Sequence, residues 1–261
     1  MNKIKYTLNR LKAQFTGPGR NPYVILMAVM LLMMIARNWL YGGTVSIVSA
    51  VVDKLLILPG IIIGISLHEF GHAWMSNRLG DPTPKSQGRL TVNPLAHIDV
   101  IGFLCLLFAG FGWGVPVEIN PRYYKNKRRD EFLVGIAGVT VNLIIALFFA
   151  VLLRFMYKAG MLPATYSGGF TITGILFDIV QYIININIVL MIFNLIPVPP
   201  LDGFGIATQI FNLERYDWYW RIKSMGIFIL LILVMFNVTG MIISPIANAV
   251  LTAIYNGIVF S

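Results

Sequence analysis

The sequence predicts an all-α polytopic membrane protein, with about five to six transmembrane helices and one re-entrant hairpin or pair of short strands. Three observations carry this. Hydrophobic residues make up 57% of the 261-residue chain and charged residues only 12%, against about 25% charged in soluble domains. Several apolar runs approach or exceed the ~20 residues that a helix needs to cross a bilayer. The net charge of +9 sits in short loops beside those runs, where basic residues set membrane orientation. That distribution excludes nucleic acid as the partner of the charge and makes the lipid bilayer the medium.

The apolar runs fall near 23–40, 55–76, 98–114, 132–156, 172–197 and 225–259. The first follows a basic tail, 1–20, that carries no acid. It is longer than a signal-peptide core and has no small-residue cleavage site after it, so it reads as an uncleaved span. Placing the N-terminus and loops 77–97, 115–131 and 198–224 in the cytoplasm gathers sixteen of the 20 basic residues there. Only Arg37, Lys54, Arg154 and Lys158 remain, near the opposite ends of spans. Both ends of 98–114 then lie inside. That run is also short and broken by Gly102, Gly110, Gly112 and Gly114, so it reads as a dipping hairpin between the 55–76 helix and the next span. Irregular backbone at membrane depth needs cover from protein or a water-filled cavity. The last run is long for one helix, and Asn237, Gly240 and especially Ser244-Pro245 divide it. Trp39, Tyr41, Trp218 and Trp220 near span ends read as interfacial anchors. The soluble stretches are too short for an appended PDZ or CBS domain, so residues 1–261 read as a single membrane domain with its core at about 55–205.

The single cysteine, Cys105, excludes an intrachain disulfide framework and a cysteine-rich metal site. The chemistry concentrates elsewhere, in Ser66-Leu-His68-Glu69-Phe-Gly-His72. Residues four apart share a helix face, so His68 and His72 can present their rings to one cation. Glu69, beside them, can serve a water on that cation as general base without binding the metal, which is the H-E-x-x-H arrangement of zinc metalloproteases. Three ionisable residues within five positions of an apolar helix mark function rather than packing. A tetrahedral catalytic zinc needs a third protein ligand and an open position. The chain has one other histidine, His97, so the third ligand is His97 or a carboxylate. Asp202 is the better candidate. It follows Pro197, Pro199 and Pro200, where the chain must unwind and can turn a carboxylate inward, at the same membrane face as the His68–His72 helix end.

In these features the chain resembles the site-2 proteases, intramembrane zinc metalloproteases. The matching stretches are His68-Glu69-Phe70-Gly71-His72, Gly88 through Asp99, Ala137-Gly138-x-x-x-Asn142 and Asn194 through Gly203, in the family's order. The resemblance implies one zinc per chain held by His68, His72 and Asp202, with Glu69 as catalytic base and Asn142 holding the substrate backbone. Asn93 and His97, beside the hairpin, are further candidates for substrate contact. It also implies a transmembrane protein or peptide as substrate, and the basic-residue distribution adds the expectation of a cytoplasmic N-terminus and a site toward the cytoplasmic side of the plasma membrane. The absence of PDZ and CBS segments resembles the compact branch of the family. Two positions depart from its usual pattern: Val139 stands where proline follows Ala-Gly, and Val100 where proline follows His-Ile-Asp. Neither is a ligand or a base.

A metal transporter would place acidic or histidine residues along a pathway, whereas this chain offers one compact cluster. A silent metal-binding protein would have no need of Glu69. Neither the oligomeric state nor the identity of the substrate is written in the sequence.

Overall fold

The computed structural model describes residues 47–99, 102–104, 106, 113–163 and 171–261. The basic tail and the first expected span, 23–40, lie outside the described residues, as does most of 98–114. Helix α1, Ile47–Arg78, carries the histidine motif in its last third and tolerates Pro59 inside it. A short helix α2, Thr83–Ser86, follows the turn at its end.

Helix α3, Lys127–Lys158, starts where the Asn126 side chain accepts the Arg129 N–H, and has Asp130 in its first turn and Lys158 in its last. These charges match the polarity of a helix dipole. Thr171 caps α4, Ile172–Leu195, by accepting the Gly174 N–H. That helix stops two residues before Pro197, because the residue preceding a proline is driven out of the helical region. Helix α5, Asp202–Phe211, begins immediately after the proline segment and ends at Asn212 in the left-handed conformation.

The C-terminal run resolves into α6, Asp217–Ser224, α7, Gly226–Met235, and α8, Val238–Ile254, which ends in a π-helical turn, Tyr255–Val259. Ser244-Pro245 does not break the run as the sequence suggested. Pro245 lies inside α8, and the break falls at Asn237, whose φ of 56° is left-handed. Asparagine visits that conformation more readily than other non-glycine residues, so it can reverse a chain where proline only removes one hydrogen bond.

Among the described residues four helices are long and apolar enough to cross a membrane: Val52–Arg78, Lys127–Lys158, Ile172–Leu195 and Val238–Val259. The pair α6–α7, bent by 61°, makes a fifth if counted as one broken span. The chain is therefore an integral, all-α polytopic membrane protein. Helices α1, α3 and α4 pack on one another, and α8 joins α4. Ala146, Ala150 and Leu153 of α3 meet Phe177, Val180, Ile184 and Ile188 of α4, with Ala247 and Ile254 of α8 closing the cluster. On the opposite side of α3, Ile144, Phe148, Val151 and Phe155 are exposed at helical spacing, a lipid-facing stripe.

The two described ends of 98–114 meet. Ile98 and Gly114 form an antiparallel bridge, and the Val115 N–H donates to the His97 carbonyl at 2.6 Å. A Cβ on Gly102 would come within 2.1 Å of the Trp113 carbonyl oxygen, so the helical residues at 102–104 also touch the chain at 113. The described ends of this segment therefore lie side by side. The loops expected on one face also gather at one end. Gln87 reaches Glu118, Lys127 reaches Glu214, and Arg128 reaches the Gln209 and Ile210 carbonyls.

Candidate metal centre

Helix α1 supplies two imidazoles to one point. His68 and His72 are one turn apart and both buried, and their Nε2 atoms lie 3.0 Å from each other. Asp202, the first residue of α5, brings Oδ2 to 3.0 Å from His68 Nε2 and 3.2 Å from His72 Nε2. These three side chains form a group able to hold a metal ion among the described residues.

Hydrogen bonds on the far side of each ring decide what the near side can do. The His72 Nδ1–H donates to the Val134 carbonyl at 2.7 Å. His68 Nδ1–H donates to Asn142 Oδ1 at 3.0 Å. With both protons on Nδ1, each Nε2 presents a lone pair, the form a metal ligand needs. Asp202 Oδ2 is buried with no hydrogen-bond partner. Two lone pairs and a carboxylate oxygen crowded within about 3 Å repel one another unless a cation lies between them. Ligand atoms of a tetrahedral zinc, each ~2.0–2.1 Å from the metal, sit roughly 3.3 Å apart, close to the separations found here. The residues fit the metal.

Gly138 completes the cradle. A Cβ at that position would stand 2.5 Å from His72 Nε2 and 2.7 Å from His68 Nε2, inside the space the metal needs. The sequence offers a signal for this in retrospect: Gly138 is four residues before Asn142, on the same face of α3.

What aims Asp202 is the short helix that begins with it. A Cβ on the next residue, Gly203, would fall 2.3 Å from the Leu195 carbonyl oxygen, so α5 folds back directly onto the end of α4. The far end of α5 is clamped to α3, where Arg128 binds the Gln209 and Ile210 carbonyls and Gln209 donates to Glu131 Oε2.

Glu69 stands outside the three-residue group. It is half-buried, and its Oε2 accepts the Val117 N–H at 3.0 Å. Of the other candidates, Asn142 touches the metal group through His68, whereas Asn93 and His97 are not members of it. Asn93 is exposed and caps a 3₁₀ turn, Pro94–Ala96, by accepting the Leu95 N–H. His97 is fully buried, its Nε2–H donating to the Thr91 carbonyl at 2.7 Å, and it is not a member of the metal group. Asn142 binds His68 through Oδ1, while its Nδ2 is buried without a partner. Sequence reasoning missed three participants, Gly138, the Val134 carbonyl and the Val117 N–H. The last two are backbone groups, which carry no signature in residue type.

Two buried imidazoles on a membrane-crossing helix, met by the part-buried Asp202 of α5 and with Glu69 beside them on the same helix, fit the metalloprotease class. Comparison with known proteins agrees. Residues 158–237, which include Asp202, match the model of Peptidase family M50. The chain is 36% identical to YwhC of Bacillus subtilis over 191 residues, covering 72% of this chain and 84% of that protein. It is 28% identical over 202 residues to Rip2 of Mycolicibacterium smegmatis, covering 76% of this chain and 73% of the relative. Rip2 of Mycobacterium tuberculosis is 27% identical over 204 residues. The names of all three place them with zinc metalloproteases. No solved structure matches. The chain belongs to peptidase family M50, the site-2 protease family, and is a membrane-embedded zinc metalloprotease.

Proposed function

We propose that the protein is an intramembrane endopeptidase that cleaves transmembrane segments of other membrane proteins, with His68, His72 and Asp202 as zinc ligands and Glu69 as general base. The observation that carries the reading is the division of labour on α1: two imidazoles converge with Asp202, while Glu69 is held apart by the Val117 N–H. Zinc bound there supplies Lewis acidity, acidifying a water toward neutral pH and polarising the scissile carbonyl. Glu69 takes the proton of the attacking water and returns it to the leaving amine. Val134 and Asn142 hold the two imidazoles in the ligating tautomer throughout. The unpartnered Nδ2 of Asn142 is a donor suited to a substrate carbonyl, in keeping with the substrate contact that the resemblance implies.

The substrate segment must unwind near the cut, since a hydrogen-bonded helix hides its carbonyls. The returning strand 113–117 offers backbone groups for an extended peptide. The basic loops gathered at the motif end of α1 support a cytoplasmic site in the plasma membrane, with all of 1–261 acting as one protease domain.

The test compares wild type with Glu69→Gln on candidate single-span substrates. Both variants retain about one zinc per chain by metal analysis, and only wild type cuts. Equal cleavage by the two removes Glu69 from the role of base.

A further inference from the structure

Asp81 is a fully buried carboxylate that the reaction above does not use. It lies just past the end of α1, and its neighbours satisfy it completely. Ser76 Oγ–H donates to Oδ2 at 2.8 Å, the Thr83 N–H to Oδ1 at 2.9 Å, and the Asn120 N–H to Oδ2 at 2.8 Å. Ser76 has spent its only proton on Asp81, so the Tyr124 O–H must donate to Ser76 Oγ, 2.8 Å away. Burial pushes the phenol of Tyr124 up to about 12, which keeps it a donor. A carboxylate buried so fully costs several kcal/mol unless it is hydrogen-bonded. Retaining one here calls for a purpose.

The purpose is legible in what Asn120 belongs to. Residues 113–120 run without helix along α1. Gly114 packs on Ile65, where a Cβ would be 3.0 Å from Ile65 Cγ2. Val117 donates to Glu69, and three residues later Asn120 donates to Asp81. The segment is therefore pinned to α1 by two carboxylates, one at Glu69 and one at Asp81. The first is the residue read as the reaction's base, and the second stands apart from the metal group.

We infer that Asp81 is a positioning residue for proteolysis, an anchor that keeps segment 113–120 in register against α1 so that Val117 meets Glu69. Burial raises the Asp81 carboxyl, but the hydrogen bonds from Thr83, Asn120 and Ser76 outweigh it and leave the group below the ordinary carboxylate range. The anchor stays ionised at physiological pH. The inference rests on the reading of Glu69 as base.

The test uses the full-length, zinc-loaded protein in lipid nanodiscs. Asp81→Asn keeps the shape but turns one acceptor oxygen into a donor. Hydrogen exchange in 113–120 should rise at least ~10-fold, the equivalent of losing one hydrogen bond to a charged group. Turnover per bound zinc should fall ~10-fold or more through kcat, as misplacement near a reacting group does, with zinc content unchanged and KM moving less. Gln87→Ala, which removes an exposed contact to the same segment at Glu118, should change neither quantity. Unchanged exchange in 113–120 overturns the inference. So does a loss of activity that merely tracks the loss of folded, zinc-loaded protein, since that is the mark of a structural residue. If Asp81→Asn yields no folded protein, Ser76→Ala removes one donor of the same knot and is read identically, with a smaller rise expected and no rise counting against the anchor. The exchange measurement needs no substrate. Released exchange in a protein whose wild type never cuts would refute the proposed proteolysis and leave the anchor standing.

Discussion

Two faces of α3 answer to different solvents. One face runs Gly138, Asn142, Ala146, Ala150 and Leu153, all buried, the first two against the imidazoles and the rest in the helix core. The other runs Ile144, Phe148, Val151 and Phe155, all exposed. Both are built with the same helical spacing. The buried face must satisfy atoms at fixed distances, a ring nitrogen 3.0 Å from an amide oxygen and a cradle with no room for a methyl group. The outer face has only to be apolar, because lipid tails conform to whatever shape they meet. One helix thus carries the most and the least constrained positions of the protein.

Substitutions along α3 can break or sharpen that contrast. Gly138→Ala should have the largest effect. Its Cβ would press on both ligand rings, which Val134 and Asn142 prevent from turning away. Zinc affinity should fall by more than ~100-fold, beyond the ~10–100-fold that loss of an outer hydrogen-bond partner costs. Chelator competition measures it, and near-normal affinity would show that the rings can shift. Asn142→Ala should come next, weakening zinc by ~10–100-fold as His68 loses the partner that fixes its tautomer. Phe148→Leu, one and a half turns further on, should change zinc affinity and thermal stability least, by no more than ~2-fold in either equilibrium, as for other substitutions outside the core. A larger change at Phe148 would mean that another protein surface, rather than lipid, covers that face.

The legibility of the site followed the range of its interactions. His68 and His72 could be paired because an α-helix fixes the relation of residues four apart. Asp202 could be nominated because prolines force an unwound segment at a membrane exit. The hairpin was readable from charge together with the shortness of the run and its glycines, and the Ile98–Gly114 bridge brings its two ends together. In the C-terminal run the break falls at Asn237, one of the three positions the sequence offered, and not at Ser244-Pro245. Pro245 looked like the stronger interruption, yet a proline costs a helix one hydrogen bond, while Asn237 in the left-handed conformation redirects the chain.

By itself the sequence determined the membrane setting, the order of the helices and the residue types of the candidate metal group, because composition, period and local spacing are properties of neighbours along the chain. Only the tertiary structure decided which proton each histidine keeps, that Gly138 is the hollow of the cradle, and that Asp81 and Glu69 share one strand between them. Apart from the Asn142 side chain and the missing one of Gly138, those depend on backbone atoms of α3 and of 113–120 arriving from 39 to 62 residues away, and backbone atoms are the same in every residue.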